Sequence, residues 1–236
     1  MMVSRNGERR LRIAIPKGAL YRDSVRLLGE AGLDVTALAD PGRQLIISSA
    51  DCEYIIAKPS DVPTYVSYGA VDCGIAGKDS LVEADLPLIE MVDLRFGGCR
   101  FIVAEAENAH AQVEESYRHL GVVRVATKYP LVAEQHFAAK GVQIEIVKLY
   151  GNIELAPLIG LADQIVDITA TGTTLRENGL RIVDEVFAST ARFVANPISA
   201  KTDSGRVTEL ADQLGALART LFGDACGLSS GQGTEA

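Results

Sequence analysis

The sequence predicts an α/β protein built on a parallel, doubly wound sheet, and three observations carry that reading. Residues 122–180 read as β-α-β-α-β-loop-α, short apolar runs alternating with helical patterns. Five strand ends along the chain carry a lysine: Lys17, Lys58, Lys78, Lys128 and Lys148. In open α/β sheets, ligands sit at the carboxyl ends of strands. Finally, the apolar run Ile165–Ile168 passes into a small hydroxylic loop, Thr169-Ala-Thr-Gly-Thr-Thr174, which opens a short helix.

The 236 residues are 47% hydrophobic, enough apolar material for one large domain or two small ones. A formal net charge of −8 argues against broad attraction to nucleic acid or membrane. An anionic ligand therefore needs a local basic pocket. Cys52, Cys73, Cys99 and Cys226 lack metal-ligand spacing and read as reduced thiols, the first three in or beside apolar segments. His110, His119 and His136 are scattered, so no metal-ligating set is expected. No secretory signal pattern is read near the start, because Pro16-Lys17-Gly18 interrupts the first apolar run. No run is long enough to cross a bilayer, and a cytoplasmic protein is expected.

Taken in order, Met1–Arg10 reads as a disordered lead-in, and Leu11–Ile15 as a strand turned by Pro16-Lys17-Gly18. Ala19–Ala31 has helical spacing and stops at Gly32. After the Asp40-Pro41-Gly42 turn, Arg43 begins a strand through Ile47; Tyr54–Ala57 is another. Ser60 caps a helix over Asp61–Tyr68. Val71–Ala76 is a strand, and Gly77–Ser80 turns into a short helix through Ala84. Leu86–Leu94 and Cys99–Ala104 are extended, joined by Arg95-Phe96-Gly97-Gly98, a hinge or crossover. Residues 108–121 are polar, then weakly helical. Strands over Val122–Ala126 and Val142–Leu149 flank a helix over Leu131–Lys140, and Ile153–Ala162 is a further helix. Ile182–Ala195 is mostly extended, Val207–Phe222 is an amphipathic helix, and the tail from Gly223 is Gly/Ser-rich and disordered.

The loop has the outline of a phosphate cradle. Backbone N–H groups at a helix start point outward, and the helix dipole favours anions. Thr174 and Glu177 have capping-box spacing, and Gly179 is a helix stop. The stretch is neither a Walker loop nor the dinucleotide fingerprint, and an ordinary strand-to-helix turn has the same outline. A single lysine at a strand end is usually solvated. Five in an acidic chain point to a substrate carrying several phosphates. Arg43, after a flexible turn, has the fork geometry that suits pyrophosphate, although it also reads as a surface arginine.

Seven blocks, in order, make the pattern specific. They are Lys17-Gly18, Arg43-Gln-Leu-Ile46, Lys58-Pro-Ser-Asp-Val-Pro-Thr-Tyr-Val66, Asp72-Cys-Gly-Ile-Ala-Gly-Lys-Asp79, Ala126-Thr-Lys-Tyr-Pro130, the run from Lys148-Leu-Tyr-Gly-Asn to Asp163, and Val166–Leu175. Together they resemble ATP phosphoribosyltransferase, from about Leu11 to Lys201. The resemblance implies transfer of the phosphoribosyl group of phosphoribosyl pyrophosphate to N1 of ATP, the first step of histidine biosynthesis. It implies a two-domain α/β fold like a type II periplasmic binding protein, with the active site in the interdomain cleft. The domains are expected at 1–94 plus 190–236 and at 95–189, the second carrying the phosphoribosyl pyrophosphate loop, with crossings near Leu94–Gly98 and Ala188–Arg192. The length resembles the short form, which implies a homodimer within a hetero-oligomer that includes a regulatory subunit similar to histidyl-tRNA synthetase.

On that resemblance, Ala170, Thr171, Gly172, Thr173 and Thr174 hold the 5-phosphate beside Thr169, while Glu154 and Asp167 contact ribose hydroxyls or orient the loop. Arg43 stabilises the leaving pyrophosphate. Lys17, Lys58 and Lys78 help to hold ATP or pyrophosphate phosphates, and Asp72 contacts nucleobase or ribose. Mg²⁺ is bound mainly through the substrate pyrophosphate, with no protein metal cage. Two positions depart from the family pattern. Ala19 stands where many members have arginine, and Ala170 where some have a carboxylate. Two other readings share parts of the pattern. A solute-binding domain would carry a secretion signal, and an orotate-type phosphoribosyltransferase would carry paired acids before its loop. Only Asp167 stands near that second place.

Overall fold

The structure is a computed structural model and describes residues 9–203 and 205–223. The lead-in over residues 1–8, Cys226 and the Gly/Ser-rich tail lie outside the described residues. In chain order the strands are β1 (Leu11–Pro16), β2 (Ile46–Ser48), β3 (Cys52–Ala57), β4 (Cys73–Gly77), β5 (Ile89–Asp93), β6 (Cys99–Ala106), β7 (Val123–Thr127), β8 (Ile144–Lys148), β9 (Gln164–Thr169), β10 (Leu180–Ser189) and β11 (Ala191–Ala195). The helices are α1 (Tyr21–Glu30), α2 (Val62–Ser67), α3 (Lys78–Ala84), α4 (His110–Leu120), α5 (Pro130–Ala139), α6 (Leu155–Leu158), α7 (Thr173–Glu177), α8 (Pro197–Thr202) and α9 (Arg206–Phe222). The chain divides into two compact units. The first takes the described residues up to Gly98 and from Thr190 on; the second is Cys99–Ser189.

The first unit holds a six-stranded sheet in the order β2-β3-β1-β4-β11-β5. Strands β3, β1 and β4 run parallel, so Lys17, Lys58 and Lys78 all follow strands at the same sheet edge. The strand period of two sorts the residues of β1. Ile13 and Ile15 join a core cluster with Leu27 and Leu28 of α1 and Leu210 and Leu214 of α9, while Ala14 joins Val62 and Val66 of α2. α2 lies close because Gly74 has no side chain. A Cβ there would come within 3.0 Å of Ala14 Cβ and 3.1 Å of Val62 Cγ1. The buried thiols Cys52 and Cys73 belong to the larger cluster. Burial pushes the Cys52 thiol up to about 11, so it is inert at neutral pH.

The second unit holds a five-stranded sheet in the order β10-β6-β9-β7-β8. β9, β7 and β8 form the expected parallel core. β6 pairs antiparallel with β9, and β10 antiparallel with β6, an arrangement that the apolar pattern did not distinguish. Ile102, Ala126, Ile165, Leu175 and Leu180 pack its centre. Glu105 is fully buried but satisfied. It accepts from Arg181 Nη2 at 2.6 Å and Gln164 Nε2 at 3.0 Å, and contacts His110 Nδ1 at 2.8 Å.

Four local expectations are corrected. The helix expected over Ile153–Ala162 shrinks to α6, because Asn152 and Gly160 take positive φ at its two ends (50° and 73°). Arg43 lies in the turn, and its strand starts only at Ile46. Ser60 does not cap α2; a 3₁₀ turn over Pro59–Asp61 precedes the helix, and the Ser60 hydroxyl instead contacts Asp61 at 3.1 Å. Thr174 does not form a capping box, because Gly172 occupies the N-cap position of α7. No helix among the described residues is long and apolar enough to cross a membrane.

Candidate functional site

In the second unit, the carboxyl ends of β7, β8 and β9 lie side by side. They place Lys128, Lys148 and the Thr169–Thr174 loop at one sheet edge. β9 ends at Thr169, whose hydroxyl accepts from the Gly172 N–H at 2.8 Å. Gly172 turns with φ of 72°, a region open to glycine and costly for other residues. Thr171 and Thr173 hydroxyls meet at 2.9 Å. Arg176 braces the turn from α7, donating to Thr171 O at 3.2 Å and Thr173 Oγ1 at 3.3 Å. Ala170, Thr171, Thr173 and Thr174 are exposed. The loop is therefore pre-formed from within and open outward, with the first N–H groups of α7 behind it. α7 is too short for a large dipole, so the hydroxyls and the nearby lysines must carry much of any anion binding.

Asp167 and Glu154 flank this edge. Asp167 lies two residues before the end of β9 and accepts from the Ile168 N–H at 2.8 Å. Burial pushes its carboxyl up to about 6. The Ile168 N–H and the Lys128 ammonium oppose that rise, and the Glu154 carboxylate adds to it. Asp167 thus feels both the Glu154 carboxylate and the Lys128 ammonium. No group of three or more His, Cys, Asp or Glu that could hold a metal occurs among the described residues.

The raised value has a measurable consequence. A carboxyl whose folded-state pKa lies near 6, above its ordinary 3.8, favours the fold while it is protonated. That contribution is complete below about pH 4 and is lost as pH rises through 6. Asp167→Asn, which keeps an acceptor for Ile168, is therefore expected to melt higher than the wild type at pH 8, with the gap closing towards pH 4. Melting curves across that range check it, and a gap independent of pH would contradict it.

In the first unit, Lys17 follows β1 and lines a groove of about 590 Å³ with Tyr21, Arg22, Pro41, Gln44 and Ile56. That volume is within the usual range of ligand pockets. The Tyr21 hydroxyl donates to Leu38 O at 2.8 Å, which fixes the ring. Arg43 is exposed in the turn between Gly42 and Gln44, both of which line the groove. Lys58 is exposed after β3. Lys78 differs. Its ammonium donates to Glu90 Oε2 at 2.6 Å, and Glu90 also faces Arg192 at 3.5 Å. Its charge is already balanced by a residue twelve positions away.

The structure does not bring Asp72 to this edge. Asp72 precedes β4 and lies at the amino end of the parallel strands. It is buried and accepts from Arg9 Nη2 at 2.5 Å, the Arg12 N–H at 2.9 Å and the Ser199 hydroxyl at 2.8 Å. Those contacts tie the start of β1 to α8. Arg22 lines the groove beside Lys17 without a sign in the sequence, because an arginine on the polar side of a helix has no signal of its own.

Comparison with known proteins gives consistent results. The family model described as "HisG: ATP phosphoribosyltransferase" matches residues 58–216. An ATP phosphoribosyltransferase of Rubrobacter xylanophilus is 46% identical over 91% of this chain and 100% of its own length. One of Moorella thermoacetica is 48% identical over 86% of this chain and 91% of its own. Among solved structures, the ATP phosphoribosyl transferase (HisG:HisZ) complex from Thermotoga maritima aligns with a TM-score of 0.76 at 33% identity, covering 89% of this chain and 99% of that one. The periplasmic aliphatic sulphonate binding protein SsuA from Escherichia coli aligns with a TM-score of 0.54 at 14% identity, over 92% of this chain and 76% of that one, a likeness of fold alone.

Proposed function

This chain belongs to the ATP phosphoribosyltransferase family, and on that premise we propose how its own residues divide the reaction. The reaction joins N1 of ATP to C1 of phosphoribosyl pyrophosphate. The N1–C1 bond forms from the N1 lone pair, the C1–O bond breaks, and pyrophosphate leaves with the electron pair. This is the first step of histidine biosynthesis, and the fold is the two-domain type II periplasmic-binding-protein class. Ala170–Thr174 hold the 5-phosphate through N–H groups and hydroxyls, beside Thr169. The support is the open loop that Gly172 shapes. Glu154 and Asp167 bind the ribose hydroxyls, with Asp167 ionised when cationic charge arrives. Lys128 and Lys148, at the same edge, add positive charge.

Arg43 stabilises the negative charge that grows on the departing pyrophosphate, the kind of contribution that often dominates catalysis. Lys17 and Lys58 hold phosphates, with ATP assigned to the groove of the first unit. Lys78 joins them only if its pair with Glu90 opens. Asp72 is given a structural part instead of a ligand contact. No general base is required, since N1 attacks as a free lone pair on a sugar carbon that becomes cationic.

Mg²⁺ fits as a substrate-borne ion. Glu154 and Asp167 could supply a protein ligand or two, and the ion would neutralise pyrophosphate charge. The Thermotoga maritima relative was solved as a HisG:HisZ complex. We extend that to this chain as a homodimer associated with a regulatory subunit similar to histidyl-tRNA synthetase, working in the cytoplasm. The test is to mix the purified chain with ATP, phosphoribosyl pyrophosphate and Mg²⁺, with pyrophosphatase present. The chromophore of phosphoribosyl-ATP should appear, faster with the regulatory partner added. No chromophore under either condition would reject the reading.

A further inference from the structure

Arg22 has no part in the division of labour above, yet it lies where a substrate contact is needed. It sits in the first turn of α1, exposed, and no carboxylate pairs with it among the described residues. The same is true of Lys17. Both line the groove of the first unit, and no aspartate or glutamate lines it with them. Two cations facing one concavity without a counter-charge repel each other, so the free groove carries a standing attraction for an anion. In a chain of net charge −8 that local excess is the exception. Ala19, between the two in sequence, lines the wall without charge, so Arg22 supplies the second cation there.

The rest of the lining limits the class of anion. Pro41, Ile56 and the Tyr21 ring, held by its bond to Leu38, give apolar surface, and Gln44 adds an amide that can donate and accept. A bare inorganic anion would leave that surface unused. A nucleoside phosphate would use both parts, its phosphates on the cations and its flat ring on the apolar side. We propose that Arg22 is a substrate-binding residue that grips the phosphates of ATP together with Lys17 and so sets the affinity for ATP, leaving that for phosphoribosyl pyrophosphate unchanged. The assignment rests on the reading of this groove as the ATP side. A guanidinium also offers two parallel donors to a phosphate, which an ammonium does not.

The test uses the full chain, with ATP binding followed by calorimetry and initial rates followed in parallel. Arg22→Gln should weaken ATP binding about tenfold, the size of losing one charge-assisted contact. KM for ATP should rise to match, with KM for phosphoribosyl pyrophosphate within about twofold. Arg22→Lys, which keeps the charge and loses the fork of donors, should recover only part of the loss. Arg26→Gln makes the same charge change one turn further along α1, off the groove, and should bind ATP like the wild type. All three should melt with the wild type. ATP binding by Arg22→Gln equal to the wild type would overturn the proposal. So would an equal loss in Arg26→Gln, or no ATP binding by the wild type at all. If ATP binds and only Arg22→Gln weakens it, while no phosphoribosyl-ATP forms, Arg22 keeps its role and the reaction reading fails instead.

Discussion

Gly172→Val is expected to abolish binding of phosphoribosyl pyrophosphate while the protein remains folded. The residue has φ of 72°, where a β-branched side chain is an outlier. A Cβ there would approach Arg176 Nη1 at 3.3 Å and Ile182 Cδ1 at 3.7 Å. Arg176 braces Thr171 and Thr173, so displacing it loosens the loop from the helix side. Rotating Gly172 out of its conformation also breaks its N–H bond to Thr169 Oγ1. The strain costs about 1–3 kcal/mol, against a typical domain stability of about 5–15 kcal/mol, so the fold survives. The lost contacts matter more. Two charge-assisted hydrogen bonds at about 1.5–3 kcal/mol each correspond to a loss of at least about 100-fold in affinity. Calorimetric titration with phosphoribosyl pyrophosphate and Mg²⁺ measures it, alongside a melting curve. An unchanged affinity, or an unchanged KM, would remove the loop from the site.

Arg43→Ala should lower kcat by about 10²–10³-fold, with KM for ATP within about threefold. The guanidinium is exposed in a turn between two groove-lining residues. It has no structural bond to lose, so stability should change little. Its proposed partner, the departing pyrophosphate, gains charge only as the C1–O bond breaks. An interaction made chiefly in the transition state shows in kcat and hardly in KM. Equal losses in kcat and in ATP affinity would make Arg43 an ordinary binding residue.

How much of this was legible beforehand depended on the range of the interaction. The strands β7, β8 and β9 and the helix α5 were readable, because their apolar runs and glycine stops are local. The strand-turn-helix at Thr169–Thr174 was readable because a β-branched strand, a glycine and a hydroxylic run sit next to one another. The antiparallel placement of β6 and β10 was not, since pairing direction is decided between strands far apart in sequence. Lys78 looked like its neighbours at the strand ends, and only the fold reveals Glu90 beside it. The motif around Asp72 does not tell which end of the parallel strands it occupies, and the fold places it before β4, at their amino end. The shortened α6 followed from two backbone reversals, Asn152 and Gly160, which outweighed a favourable helical spacing. Arg22 was unreadable for the opposite reason: its meaning comes from Lys17 and from a loop some twenty residues later.

The sharpest test of the account is an NMR titration of the ¹⁵N-labelled chain with phosphoribosyl pyrophosphate and Mg²⁺. The amides of Ala170, Thr171 and Thr174, which the hydrogen bonds inside the loop leave open, should shift most and saturate with the binding curve. Saturable binding that leaves those three amides in place would contradict it.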